Sequence, residues 1–237
     1  VNGLDSQSCF ECHSVISSAS IPARLGVGGA GLASASVMGG ITRIDILDNA
    51  GNGFAAFNGR LINPPFMFGS GGIELLAKEM TVELRGAFAL ALASPDVPQP
   101  LISKGVSFGS LTYDSTLQDY DYTAVEGINN DLVVRPFGRK GEFATARAFD
   151  LGAMGFHFGI QPAELVGAGV DADGDGVVDE ILAGEISALH IFGTNLERPT
   201  VDPLDAQTLM GQALFQQVGC TDCHTPSLQT TTALLAH

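Results

Sequence analysis

The chain has no tryptophan, only four cysteines, and only 11 lysines and arginines against 26 aspartates and glutamates, for a formal net charge of −15 over 237 residues. The shortage of basic residues argues against nucleic acid and anionic membrane surfaces as partners, since both are held through clustered positive charge. No transmembrane span is expected. The uncharged stretch from Leu25 to Thr42 is long enough, but its glycines and serines make it a poor membrane helix. No signal peptide is present, and the chain starts at Val1, which reads as a processed or trimmed form. Beyond the paired motif described next, no internal repeat is found.

The four cysteines are spent on two copies of one motif, Cys9-Phe10-Glu11-Cys12-His13 and Cys220-Thr221-Asp222-Cys223-His224. C-x-x-C-H is the attachment signature of c-type haem. Cysteines at i and i+3 face the same side of a helical turn, so both thiols can add to the haem vinyl groups. The next residue then offers an imidazole to the iron. Other uses of these residues fit less well. Paired zinc knuckles lie closer in sequence and do not require a histidine after each pair. A thioredoxin-type dithiol belongs beside a βαβ pattern, which neither copy has. Two haem c groups are therefore expected, with His13 and His224 as proximal ligands. Thioether attachment of haem occurs outside the cytoplasm, so a periplasmic or extracellular location follows.

The sixth ligand of each iron separates electron transfer from small-molecule chemistry. Besides the motif histidines the chain has His157, His190 and the last residue, His237. His157 and His190 are the expected distal ligands. His237 enters only if the terminus docks or reaches a neighbour, and Met154 and Met67 are weaker candidates because methionine is a routine gap-filler.

A second cluster, Asp171-Ala172-Asp173-Gly174-Asp175-Gly176-Val177-Val178-Asp179-Glu180, matches the front of a calcium loop. Oxygen ligands fall at positions 1, 3, 5 and 9 (Asp171, Asp173, Asp175, Asp179), glycine at 6, and the Val177 carbonyl at 7. Leu182 stands where the bidentate glutamate belongs, leaving Glu180 or Glu185 to supply that oxygen. Bound calcium with a structural role is expected here.

The pattern of elements predicts a mainly α fold with long loops and a minor β hairpin, with cytochrome c-like haem-binding helices. Residues 21–72 are rich in Gly, Asn and Pro and read as loop. Helices are predicted over 73–93, where Ile73, Leu76, Met80, Leu84 and Phe88 recur at helical spacing, and over 142–158, 184–196 and 203–218. Residues 101–113 alternate as a strand or hairpin, and 114–131 read as an acidic loop with all three tyrosines in or beside it. The expected organisation is an N-terminal haem region, 1–130, and a helical region, 131–237, holding the calcium-like loop and the second motif.

From Asp205 to Pro226, the residues Gly211, Leu214, Phe215, Gly219, Cys220, Cys223 and His224 are similar to the haem-binding entry of a cytochrome c domain. With Asn2-Gly3-Leu4 leading into the first motif, the segment from Gly138 to Gly155 and the acidic run at 171–176, the chain resembles the di-haem oxidoreductase family, relatives of di-haem cytochrome c peroxidases. That resemblance implies peroxidase-like reduction of hydrogen peroxide at one open haem, as the alternative to simple electron carriage. Thirteen residues follow His224, where a cytochrome c domain continues through a further helix. The second pocket is thus expected to be completed by a neighbouring chain, or the sequence is a fragment. Redox proteins are the expected partners. Head-to-tail association of copies into a homo-oligomer or filament is a further expectation, because haems near each terminus can approach those of neighbours.

Overall fold

The structure is a computed structural model, and it describes residues 37–38, 60–61, 67–138, 141–198 and 203–232. The first C-x-x-C-H motif, with Cys9, Cys12 and His13, lies outside these residues, as do His237 and most of the predicted loop 21–72. Among the described residues there are five α-helices and a three-stranded antiparallel sheet, a mixed α/β architecture with modest helical content. A separate two-residue ladder pairs β1 (Val37–Met38) with β2 (Arg60–Leu61). No helix among the described residues is long and apolar enough to cross a membrane.

The chain divides into two compact units. One comprises Gly69–Phe149 with Gly193–His237; the other contains Asp150–Phe192 and the N-terminal portion. The first is organised by helix α1 (Ser70–Ala93) lying on strands β3 (Gln99–Ser103), β4 (Val106–Asp114) and β5 (Asp119–Asp121). The predicted apolar stripe on α1 is present but turned. Ala77, Met80, Leu84, Ala87 and Ala91 are buried, whereas Ile73 is 48% exposed. Ala87 and Ala91 on the inner face let the helix approach the sheet closely, and Leu84 of the helix packs with Leu101, Leu111 and Leu132 in the core. Each fully buried leucine contributes roughly 1.5–3 kcal/mol through the apolar surface removed from water.

The hairpin predicted over 101–113 is β3–β4. Its two-residue loop, Lys104–Gly105, has both residues at positive φ (50° and 81°), the twist that suits a tight hairpin. The acidic stretch adds what sequence periodicity did not: Asp119–Asp121 pairs with Thr112–Asp114 as a third strand, with Tyr120 opposite Tyr113. Asp114 makes the connecting turn by accepting hydrogen bonds from the N–H groups of Thr116 (2.7 Å) and Leu117 (2.8 Å).

Helix α1 starts three residues before the predicted position, because its N-terminus is held by tertiary rather than local contacts. The Gly69 N–H donates to Leu196 O (2.9 Å) and the Ser70 hydroxyl to Gly193 O (3.0 Å). A Cβ on Gly71 would stand 2.2 Å from Thr194 O, so only glycine permits this approach. Further along α1, Glu74 is 1% exposed, pairs with Lys78 (2.8 Å), and accepts a hydrogen bond from Ala146 N (2.9 Å). That contact satisfies a leading N–H of helix α2 (Ala146–Ala153).

In the other unit, α2 gives way to a π-helical turn, Met154–Phe158, closed by Gly159 in the left-handed region. A short helix α3 (Ala163–Val166) follows, then the aspartate-rich loop, then helix α4 (Ala183–Thr194). Leu151, Met154 and Ile186 form this unit's buried core, with Phe158, Ile160, Ile181 and Leu189 packed against them.

Candidate functional site

The second C-x-x-C-H motif follows helix α5 (Ala206–Gln217). Asp205 caps that helix by accepting from Thr208 N (2.7 Å) and the Thr208 hydroxyl (2.8 Å). Gly219, at φ 82°, then turns the chain into a 3₁₀ turn over Cys220–Asp222. A 3₁₀ turn eclipses residues three apart, so the spacing of Cys220 and Cys223 sets both residues on one side. His224 N donates to Cys220 O (2.9 Å), completing the turn. Neither thiol is in a disulfide; Cys220 is half-buried and Cys223 exposed. The His224 ring lies 5.9 Å from that of Phe215, inclined at 57°, so the preceding helix provides an aromatic neighbour for the imidazole.

Helix α5 has no buried residue. Leu209, Met210, Leu214, Phe215 and Val218 are all between 43% and 73% exposed. A run of large apolar side chains left in water beside two thiols and an imidazole fits the chemistry of a haem. The macrocycle would supply the apolar surface, the thiols its covalent attachment, and His224 an axial nitrogen.

Of the two expected distal ligands, His157 belongs to the π turn, an element found disproportionately at functional sites. His190 lies on the inner face of α4, 8% exposed, one turn after the fully buried Ile186. Met154 is 7% exposed and belongs to the core of its unit, the packing role that its flexibility suits.

The aspartate-rich loop leaves α3 and returns to α4, its ends joined by the Pro162–Ile181 bridge and by a hydrogen bond from Ala163 N to Ile181 O (3.0 Å). Asp171, Asp173 and Asp175 come together, each with a carboxylate oxygen within 4.8 Å of the others, and all three are exposed. Asp171 accepts from Gly174 N (2.7 Å) and Gly176 N (3.0 Å), and Asp175 accepts from Val177 N (2.8 Å). The remaining acidic residues engage other donors. Asp179 accepts from Gly169 N (2.8 Å), Glu180 from Gln161 N, and Glu185 reaches back to Leu182 N (2.8 Å) as the third residue of α4.

Sequence reasoning passed over Glu79 and Lys104. Glu79 receives Lys104 Nζ (2.8 Å) and both N–H groups of Thr231 and Thr232, which lie just beyond the second motif. With partners more than 150 positions away, no local pattern marks it. Comparison of the chain with known protein families, with curated proteins and with solved structures finds no match.

Proposed function

We propose that this chain is a c-type cytochrome that carries electrons outside the cytoplasm through two covalently bound haems. The observation that carries the reading is the pair of C-x-x-C-H motifs, which together use every cysteine in the sequence. The exposed apolar side chains of α5 beside Cys220, Cys223 and His224 support it, because they are short of protein contacts where a haem would supply them. Bound haem supplies a one-electron Fe(III)/Fe(II) couple. The chain's own residues would hold it: the four thiols by covalent attachment, His13 and His224 as proximal imidazoles, and His157 and His190 as the imidazoles for the sixth positions. The resemblance to di-haem oxidoreductases is compatible with this cofactor set.

In the same reading the loop at 171–179 binds calcium through Asp171, Asp173 and Asp175. Unit negative charges about 4 Å apart repel by roughly 1 kcal/mol even in water, and a divalent cation removes that repulsion. The surplus of acidic residues suits cationic redox partners.

The deciding experiment is expression with a haem-attachment system, followed by the pyridine haemochrome assay and ferric and ferrous spectra. Two haems per chain with low-spin ferric iron are expected. A high-spin ferric species that consumes hydrogen peroxide would move the assignment to a peroxidase-like oxidoreductase, and absence of bound haem would overturn the reading. Calorimetry with calcium tests the loop separately: no heat of binding, with no change in melting on chelation, removes calcium from the proposal.

A further inference from the structure

Four donor groups converge on one carboxylate in the first unit. Glu79, on α1, accepts from Thr231 N (3.0 and 2.9 Å to its two oxygens), Thr232 N (2.8 Å), the Thr232 hydroxyl (2.5 Å) and Lys104 Nζ (2.8 Å). Lys104 sits at the tip of the β3–β4 hairpin, whose two-residue loop leaves its backbone little freedom. Its ammonium also meets Glu83 (2.9 Å), and Glu83 accepts from the Ser103 hydroxyl (2.6 Å). The lysine is 10% and Glu79 11% exposed at the side chain. The cluster therefore belongs to the rigid face formed by α1 and the hairpin, while the threonines belong to the strap running on from His224.

We infer that Glu79 is the positioning residue for the C-terminal haem segment, fixing the strap that follows His224 to the α1–hairpin face. This rests on the haem reading proposed above for Cys220, Cys223 and His224. The physical case is that helix α5, on the other side of the motif, has no buried residue to hold it, whereas the strap makes charge-assisted hydrogen bonds at Thr231 and Thr232, the stronger kind. Holding one end of a short segment limits how far the imidazole at its start can tilt and how much water reaches it. Both ligand orientation and solvent exposure tune a haem's potential.

The test compares the haem-loaded wild-type protein with Glu79→Gln and Glu79→Ala. The glutamine variant keeps the shape of the side chain and so folds, but it presents N–H donors where the threonines and Lys104 bring their own. Expected results are at least tenfold faster hydrogen exchange at the Thr231 and Thr232 amides in both variants, haem content unchanged, and a shifted reduction midpoint for one of the two haems while the other stays. Unchanged exchange at those amides overturns the anchor. Faster exchange with both midpoints unmoved overturns the positioning role. If the wild-type protein takes up no haem at all, the cytochrome reading fails, and the exchange rates still decide whether Glu79 holds the strap.

Discussion

Helices α1 and α5 are both rich in apolar residues, yet they meet opposite fates. Over its 24 residues α1 buries Ala77, Met80, Leu84, Ala87 and Ala91, the last three in one core with the sheet, and its polar side chains tie it to α2, the hairpin and the strap. The 12 residues of α5 bury nothing, although Leu209, Met210, Leu214 and Phe215 are as hydrophobic as anything in α1. The difference lies in where each helix finds its apolar partner. For α1 the partner is encoded in the polypeptide, and the helix is a scaffold. For α5 the described residues supply no such partner; Cys220, Cys223 and His224 follow it, and under the proposed function a haem attached there would cover its apolar side chains.

The comparison can be broken most decisively at the cysteines. Replacing Cys220 and Cys223 with serine should reduce bound haem from two to one per chain in the haemochrome assay; retention of both would uncouple α5 from the cofactor. A smaller, thermodynamic effect separates the two helices' surroundings. Leu111→Ala, beneath α1, should destabilise the protein by about 2–5 kcal/mol in urea unfolding, as buried leucine truncations do. Leu214→Ala in haem-free protein should stay within about 0.5 kcal/mol, as exposed substitutions do. Equal costs would mean that α5 has a protein core after all.

Acid sharpens the contrast further. Hydrogen bonding from Lys104, then Thr232 and Thr231, holds the Glu79 carboxyl far below the ordinary 4.5, with Glu83 the other carboxylate facing Lys104. A carboxylate lowered on folding stabilises above its unfolded value and loses that contribution as pH falls through its folded value. Exchange protection at Thr231 and Thr232 should therefore persist below pH 4.5 and fail only in strong acid. The Asp205 cap follows the same sign from 3.8 downward, its carboxyl lowered by the Thr208 N–H and hydroxyl. Haem-free protein should lose a small part of its helical circular dichroism over that range, and none near neutrality.

The sequence made the helices legible where periodicity and local stops agree. The predicted 73–93 ends where α1 ends, because Ser94-Pro95 halts it, and α5 begins where Asp205 can cap it. The start of α1 at Ser70 was not legible, since the stabilising acceptors are carbonyls of Gly193 and Leu196. Strand β5 was missed because aspartates flank Tyr120, and aspartate is a poor strand former. Pairing with Tyr113 outweighs that preference. Predicted helix 142–158 is shorter, starting at Ala146 under the distant Glu74 carboxylate and ending in a π turn that no simple 3.6 period reveals. At the candidate site, motif residues announce themselves by type and spacing. Glu79 does not, because its role comes from tertiary contacts alone.

The aromatic cluster on the sheet has a practical consequence. With no tryptophan in the chain, emission excited to the red of the phenylalanine band comes from Tyr113, Tyr120 and Tyr122, and neighbouring rings in this set are 5.3 and 6.3 Å apart. Tyr120 also donates its hydroxyl to Phe88 O (3.1 Å) and so reports on α1 directly. The protein thus carries one localised fluorophore whose light a haem would absorb. If haem binds at Cys220, Cys223 and His224 as proposed, this emission should be shorter-lived in the loaded protein than in the haem-free protein.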